Sequence, residues 1–287
     1  MLRSVGRLFF HDMGVVPIIL NHDASDLPRF VETCRKYRPT WLFHLSSPLI
    51  YGLARLEAET GVDLKEVFSC FTACIYGGEP MGRQARLLME RWQVPVYEFS
   101  SLGDSGTIWE CRAKDGFHAW EDLVLLEVID PETGAPAPDG GRGEMVITNL
   151  VDHLDPLIRF RSGDLVQWSQ APCACGRTHA RVWPIGRTTD EILVAGKSVV
   201  PRDIWSAVED VPETAAGLFQ IIRPQRDVTE LKLRVGYEGS PDLAMVAAAV
   251  ADSVERAVGI RPTVELTPNA EIVKLGPPHK IPRTAKA

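Results

Sequence analysis

The sequence predicts an α/β fold: a parallel-sheet layer, then a β-rich part, then a small α+β unit at the C-terminal end. Three observations carry that expectation. Short apolar runs alternate with amphipathic helical stretches as far as Phe99, which implies parallel strands covered on both faces. After Glu121 the helical spacing stops and strand-like runs follow one another. From about Gly186 the order strand, helix, two strands, helix, strand matches a split βαβ unit that can fold as its own domain.

In chain order, the run Val15–Leu20 reads as a strand and Asp26–Tyr37 as a helix, with Asp23 or Ser25 near its start. Thr40–Pro48 reads as a buried strand, and Leu49–Thr60 as a helix closed near Gly61. Phe71–Tyr76 is a further buried strand that runs into Gly77-Gly78-Glu79-Pro80. Gln84–Trp92 is helical, and Val94–Phe99 is the next strand. LVLLEVID and EMVITNL flank a long Gly/Pro turn and read as an antiparallel pair, followed by LIRFRSGDLV. This β-rich stretch, Glu121–Trp183, is expected as a small barrel or a sheet beside the first layer. EILVAG, the helix Pro201–Val208, LFQIIR, LKLRVGY, the helix Pro241–Val258 and TVEL complete the chain. The expected domains are residues 1–187 and 188–287.

Composition narrows the functional classes. The 287 residues include 31 Lys+Arg and 38 Asp+Glu, a net charge of −7. With no basic run, the chain offers no electrostatic footprint for nucleic acid or anionic lipid. No apolar stretch reaches the roughly 20 residues that span a bilayer, and MLRSVGRLFF is a poor signal peptide. Six cysteines are too sparse for a disulfide framework and fit a cytoplasmic location. Gly-x-Ser-x-Gly and Gly-x-Gly-x-x-Gly are both missing, which argues against a serine hydrolase and a dinucleotide oxidoreductase.

Three segments carry chemistry. Ligands of open α/β sheets collect at the carboxyl ends of strands, where Gly77–Pro80 and Ser100–Asp104 both fall. Glycine there lets a backbone approach a flat ligand, although a pair of tight turns explains the same residues. In Arg159–Leu165, Asp164 sits on a glycine turn between arginines and can grip a ribose diol or simply close a salt-bridged hairpin. Arg187, at the expected domain boundary, brings an always-charged guanidinium suited to phosphate or carboxylate, or merely holds the linker. His44, in a strand of apolar residues just before Ser46-Ser47-Pro48, reads as a hydrogen-bonded core histidine. Cys111, His118, Cys173 and Cys175 compose a Cys₃His set of the type that holds structural zinc, with His179 as a rival ligand. Cys34, Cys70 and Cys74 sit in apolar surroundings and read as packing residues.

The order GGEP, VYEFSSLGD, GEMVITNL…PLIRFRSGDL, CACGR, GRTTDEILVAGKSVVP and KIPRTAKA resembles the adenylate-forming (acyl-CoA synthetase) superfamily. Within it the chain is most similar to phenylacetate–coenzyme A ligases. The resemblance implies activation of a small-molecule carboxylate by ATP and Mg²⁺, then transfer of the acyl group to coenzyme A or a carrier-protein thiol. It places Gly77, Gly78, Glu79 and Pro80 along the adenine, Asp164 on the ribose hydroxyls and Arg187 near ribose and phosphate. It places Lys286 near the family's catalytic lysine, with Lys280 as the substitute because one residue is missing from the usual spacing. Family members often carry a similar Cys, His and CxCGR set, and the resemblance puts the neighbourhood of His44 at the border of the acyl pocket, which implies substrate contact as the alternative for that residue.

The departures are equally specific. Ser100 stands where the family has the adenine-stacking tyrosine, Gly103 where it has a hydroxyl, and Asp104 where it has the longer Mg²⁺-binding glutamate. Thr189 stands at the usual hinge position, and no Ser/Thr/Gly-rich phosphate loop precedes the match. Phosphoryl chemistry relies on backbone donors around the phosphates. ATP-dependent adenylation is therefore expected to be weakened. An ATP-independent acyl transferase acting on a preactivated thioester, and a non-catalytic binding module completed by a partner subunit or a homodimer, are the alternatives.

Overall fold

The computed structural model describes residues 14, 16–18, 26–100, 108–151, 156–276 and 282–286. The strand expected over Val15–Leu20 lies largely outside them, as do Asp104 and Lys280. Helix α1 (Leu27–Tyr37) buries Leu27, Phe30, Val31 and Cys34, the one-face spacing its sequence carries. Strand β1 (Trp41–Leu45) precedes α2 (Ser47–Thr60), which takes Pro48 in its first turn and ends at Gly61 with φ +70°. A short α3 (Leu64–Phe68), not anticipated from sequence, is capped by the Asp63 carboxylate, which accepts the Glu66 N–H. Strand β2 (Ala73–Tyr76), α4 (Arg83–Arg91) and β3 (Val96–Ser100) follow. The strands β1, β2 and β3 are parallel, as the alternating pattern requires. Phe30, Phe68, Phe71 and Trp92 form the aromatic heart of the core beneath them.

Strands β4 (Ile108–Glu110), β5 (Phe117–Ala119), β6 (Val124–Ile129), β7 (Arg142–Asn149), β8 (Phe160–Ser169) and β9 (Arg181–Arg187) are mutually antiparallel. They do not flank the first layer as a separate sheet. Because β3 pairs antiparallel with β4, all nine strands join in one sheet of order β1-β2-β3-β4-β5-β9-β8-β7-β6. A second correction concerns β1, which was expected to be buried. Only Leu45 is, since β1 lies at the end of this sheet and leaves Trp41 and Phe43 exposed.

The C-terminal unit contains β10 (Ile192–Val194), β11 (Lys197–Val199), α5 (Pro201–Glu209), β12 (Phe219–Ile222), β13 (Asp227–Val228), β14 (Lys232–Tyr237), α6 (Leu243–Val258), β15 (Thr263–Pro268), α7 (Asn269–Ile272) and β16 (Thr284–Ala285). Its main sheet has the order β15-β14-β12-β16 and excludes β10, the strand expected to open the split βαβ unit. Ala195 and Gly196, both with positive φ, turn β10 straight back onto β11, and β13 takes its other edge. The place beside β12 goes instead to β16, in parallel register with Ile221 and Ile222.

Candidate nucleotide site and cysteine–histidine centre

Strand alternation and register put Asp164 of β8 directly opposite Arg187 of β9. Arg187 Nε lies 3.6 Å from Asp164 Oδ1, and its Nη2 donates to the Ser162 carbonyl at 2.9 Å. Gly163 sits between them at φ +73°, and its carbonyl accepts the Thr188 N–H at 2.8 Å. Burial pushes the Asp164 carboxyl up from its usual range, against the opposing pull of Arg187. A half-exposed guanidinium beside a mostly covered carboxylate can present donors and acceptors to one polyhydroxylated anion.

The Gly77–Pro80 turn begins where β2 ends. Gly78 needs its freedom, at φ +101°, but Gly77 is required for packing: a Cβ there would lie 2.9 Å from Phe99 Cδ1 and nearer still to Cε1. The flat group that presses on this glycine is thus the chain's own phenyl ring. Phe99 in turn stacks on Trp109 at 5.0 Å, and Trp109 on Trp120 at 5.9 Å. Beyond the turn, the Met81 N–H donates to the buried carboxylate of Glu98 at 2.9 Å, and Arg86 pairs with the same group. Burial raises the Glu98 carboxyl.

Glu79 pairs with Arg283, at 3.0 Å, in the segment leading into β16. The Arg283 guanidinium lies 3.6 Å from the centre of the Trp205 ring and donates to the Gly217 carbonyl at 2.7 Å. Trp205 Nε1 donates to Glu209, which also accepts the Arg83 N–H at 2.9 Å. Sequence reasoning missed Arg283, Trp205, Glu209 and Glu98, although Arg283 lies in KIPRTAKA and Glu98 in VYEFSSLGD, two stretches already singled out. Lys286 is exposed three residues beyond Arg283. Ser100 pairs with Ile108 across β3 and β4. His44, half-buried, occupies a β-bulge at φ +71° and is not a core residue.

The Cys₃His set converges as expected. Cys111 follows β4, His118 lies in β5, and Cys173 and Cys175 come from the loop between β8 and β9. Their ligand atoms all lie within 4.8 Å of one another. Cys111 and Cys173 sulfurs are 3.7 Å apart, and Cys175 Sγ is 3.4 Å from His118 Nε2. His118 Nδ1 donates to the His179 carbonyl at 2.9 Å, which aims Nε2 at the sulfurs; among the described residues the clustered ligand atoms include His118 and not the rival His179. The Arg177 N–H donates to Cys175 and holds its thiol down at about 6. Burial pushes the Cys34 thiol up to about 12, in keeping with a packing role.

The fold is that of the adenylate-forming superfamily, of the acyl-CoA ligase type. A 2-hydroxyisobutyryl-CoA ligase in the postadenylation state is 25% identical, with a TM-score of 0.77 over 91% of this chain and 57% of that one. The same ligase in the thioesterification state superposes at a TM-score of 0.55 over 95% of this chain and 59% of that one, at 24% identity. Within this class the chain is phenylacetate–CoA ligase-like: it is 37% identical over 229 residues to the phenylacetate–coenzyme A ligase of Thermus thermophilus, 78% of this chain. It spans about half the length of that relative. No protein-family model matches the chain. Among the described residues, no helix is long and apolar enough to cross a membrane.

Proposed function

We propose that this chain forms part of an acid–thiol ligase that adenylates an aryl or acyl carboxylate and passes it to coenzyme A or a carrier thiol. The observation that carries the reading is the 37% identity to a phenylacetate–coenzyme A ligase, together with Asp164 and Arg187 on facing strands. Asp164 would accept hydrogen bonds from the ribose hydroxyls, and Arg187 would neutralise the neighbouring phosphate charge. Gly77–Pro80 and Ser100 would border the base, His44 the acyl group, and Lys286 would bring its ammonium to the reacting carboxylate. Asp104 would supply the Mg²⁺ carboxylate.

The cysteine–histidine centre suits zinc. Tetrahedral Zn²⁺ with ordinary bond lengths needs sulfur pairs about 3.8 Å apart and sulfur–nitrogen pairs about 3.6 Å apart. The two measured edges, 3.7 and 3.4 Å, are close to both. Four protein ligands leave no open position, so the ion would clamp the β4–β5 hairpin to the β8–β9 loop without entering the chemistry.

Carboxylate-dependent exchange of pyrophosphate into ATP tests the function. Exchange by the purified chain supports the ligase. Turnover of an acyl thioester without exchange supports the ATP-independent transferase. Binding of AMP with neither reaction supports a module completed by a partner, and failure to bind AMP overturns the nucleotide site.

A further inference from the structure

We propose that Arg283 is a positioning residue, a pin that docks β16, and with it Lys286, onto the Gly77–Pro80 turn in one arrangement of the C-terminal unit. Its side chain and that of Glu79 are 9% and 7% exposed, so the pair is largely desolvated where the two parts of the chain meet. The guanidinium is held on three sides: by Glu79, by the Gly217 carbonyl and by the Trp205 ring. The backbone on either side is tied into the C-terminal sheet, with the Arg283 carbonyl accepting the Ile221 N–H at 2.8 Å and the Pro282 carbonyl accepting from Gln220 at 3.1 Å. Around the pin, Glu209 accepts the Arg83 N–H and Asp210 pairs with Arg83, so the C-terminal end of α5 and the N-terminal end of α4 join across the same seam. Gly82 and Gly217 let the seam close, since a Cβ at Gly217 would lie 2.6 Å from Trp205 Nε1.

The pin is built to release. Glu79 Oε1 and Arg283 Nε are buried with no hydrogen-bond partner among the described residues. A desolvated pair with unsatisfied atoms gains little over two separately hydrated ions, yet removing one partner leaves the other charge stranded. Such a contact selects an arrangement without locking it. The better superposition on the postadenylation state than on the thioesterification state of one related ligase fits a contact made in the first and broken in the second. The role assigned to Lys286 rests on the function proposed above; the pin itself does not.

Hydrogen exchange by mass spectrometry reads the pin without any activity. Arg283→Gln and Glu79→Gln should each raise exchange about tenfold at both residues 77–83 and residues 282–286, and the double variant should do no more than either single. Arg283→Lys and Glu79→Asp, which keep the charges, should fall between, and serve if the glutamine variants fail to fold. Exchange that rises only at the segment carrying the substitution, or effects that simply add, overturns the proposal. In the half-reactions, Arg283→Gln should depress pyrophosphate exchange while sparing thioester formation from supplied acyl-adenylate; equal loss of both overturns the link to Lys286. Wild-type protein with no exchange activity removes the ligase reading but leaves the exchange-protection result intact.

Discussion

Asp164 and Arg187 are register partners on adjacent antiparallel strands, with Arg187 Nε 3.6 Å from Asp164 Oδ1. The pair is too long for a tight salt bridge, and the guanidinium spends its firm hydrogen bond on the Ser162 carbonyl instead. Both side chains therefore keep capacity for a third party. Arg187→Ala and Asp164→Ala should each weaken AMP binding about tenfold or more, as measured by calorimetry. Because Arg187 is half-exposed, its loss should change thermal stability little. Wild-type affinity in both variants would remove these residues from the site.

The pH response of the same carboxyl follows from its burial. Its folded pKa is raised, so the protonated form is favoured in the folded state. Its contribution to stability is full below the unfolded value and is lost as pH rises through the raised folded value. If, as proposed, the Asp164 carboxylate holds the ribose, AMP binding should run the other way and fall on acidification at a higher pH than for an unperturbed aspartate. Asp164→Asn should flatten both profiles in a titration followed by calorimetry and thermal melts.

Metal analysis of the purified chain should find one zinc per molecule. Cys173→Ala should lose it and lower the melting temperature by about 5 °C or more, since a clamp between two loops is removed. Cys34→Ser should retain the metal, because that thiol packs in the first core. Full zinc content in Cys173→Ala would point to other ligands.

Gly77→Ala should destabilise by about 1–3 kcal/mol, because the new methyl overlaps the Phe99 ring. Displacing Phe99 should also disturb its stack on Trp109, visible as a change in tryptophan fluorescence. Adding Phe99→Leu should recover part of the stability. If AMP affinity recovers with it, Gly77 serves packing alone; if affinity stays low, the glycine also makes room for the base.

The first parallel strands and helices were legible because each carries its own period: Leu27, Phe30, Val31 and Cys34 mark one helical face without reference to anything distant. The β6–β7 hairpin was legible for the same reason, as two alternating runs around a Gly/Pro turn. The cysteine–histidine centre was readable from residue types, because three thiols and one imidazole match the donor set of a closed structural zinc site. Short α3 was missed, since five residues are too few to display a period.

Residue type, spacing and local turn chemistry by themselves determined the α/β class, most of the elements, the Asp164–Arg187 segments and the cysteine–histidine set. Only the tertiary structure decided that β3 and β4 weld two expected layers into one nine-stranded sheet, and that β16 replaces β10 beside β12. It alone paired Glu79 with Arg283, residues with nothing in the chain between them to announce the contact. The physical reason is common to all three. Strand pairing and buried ion pairs are settled by which edges and charges remain unsatisfied once everything else has packed, and that competition is non-local.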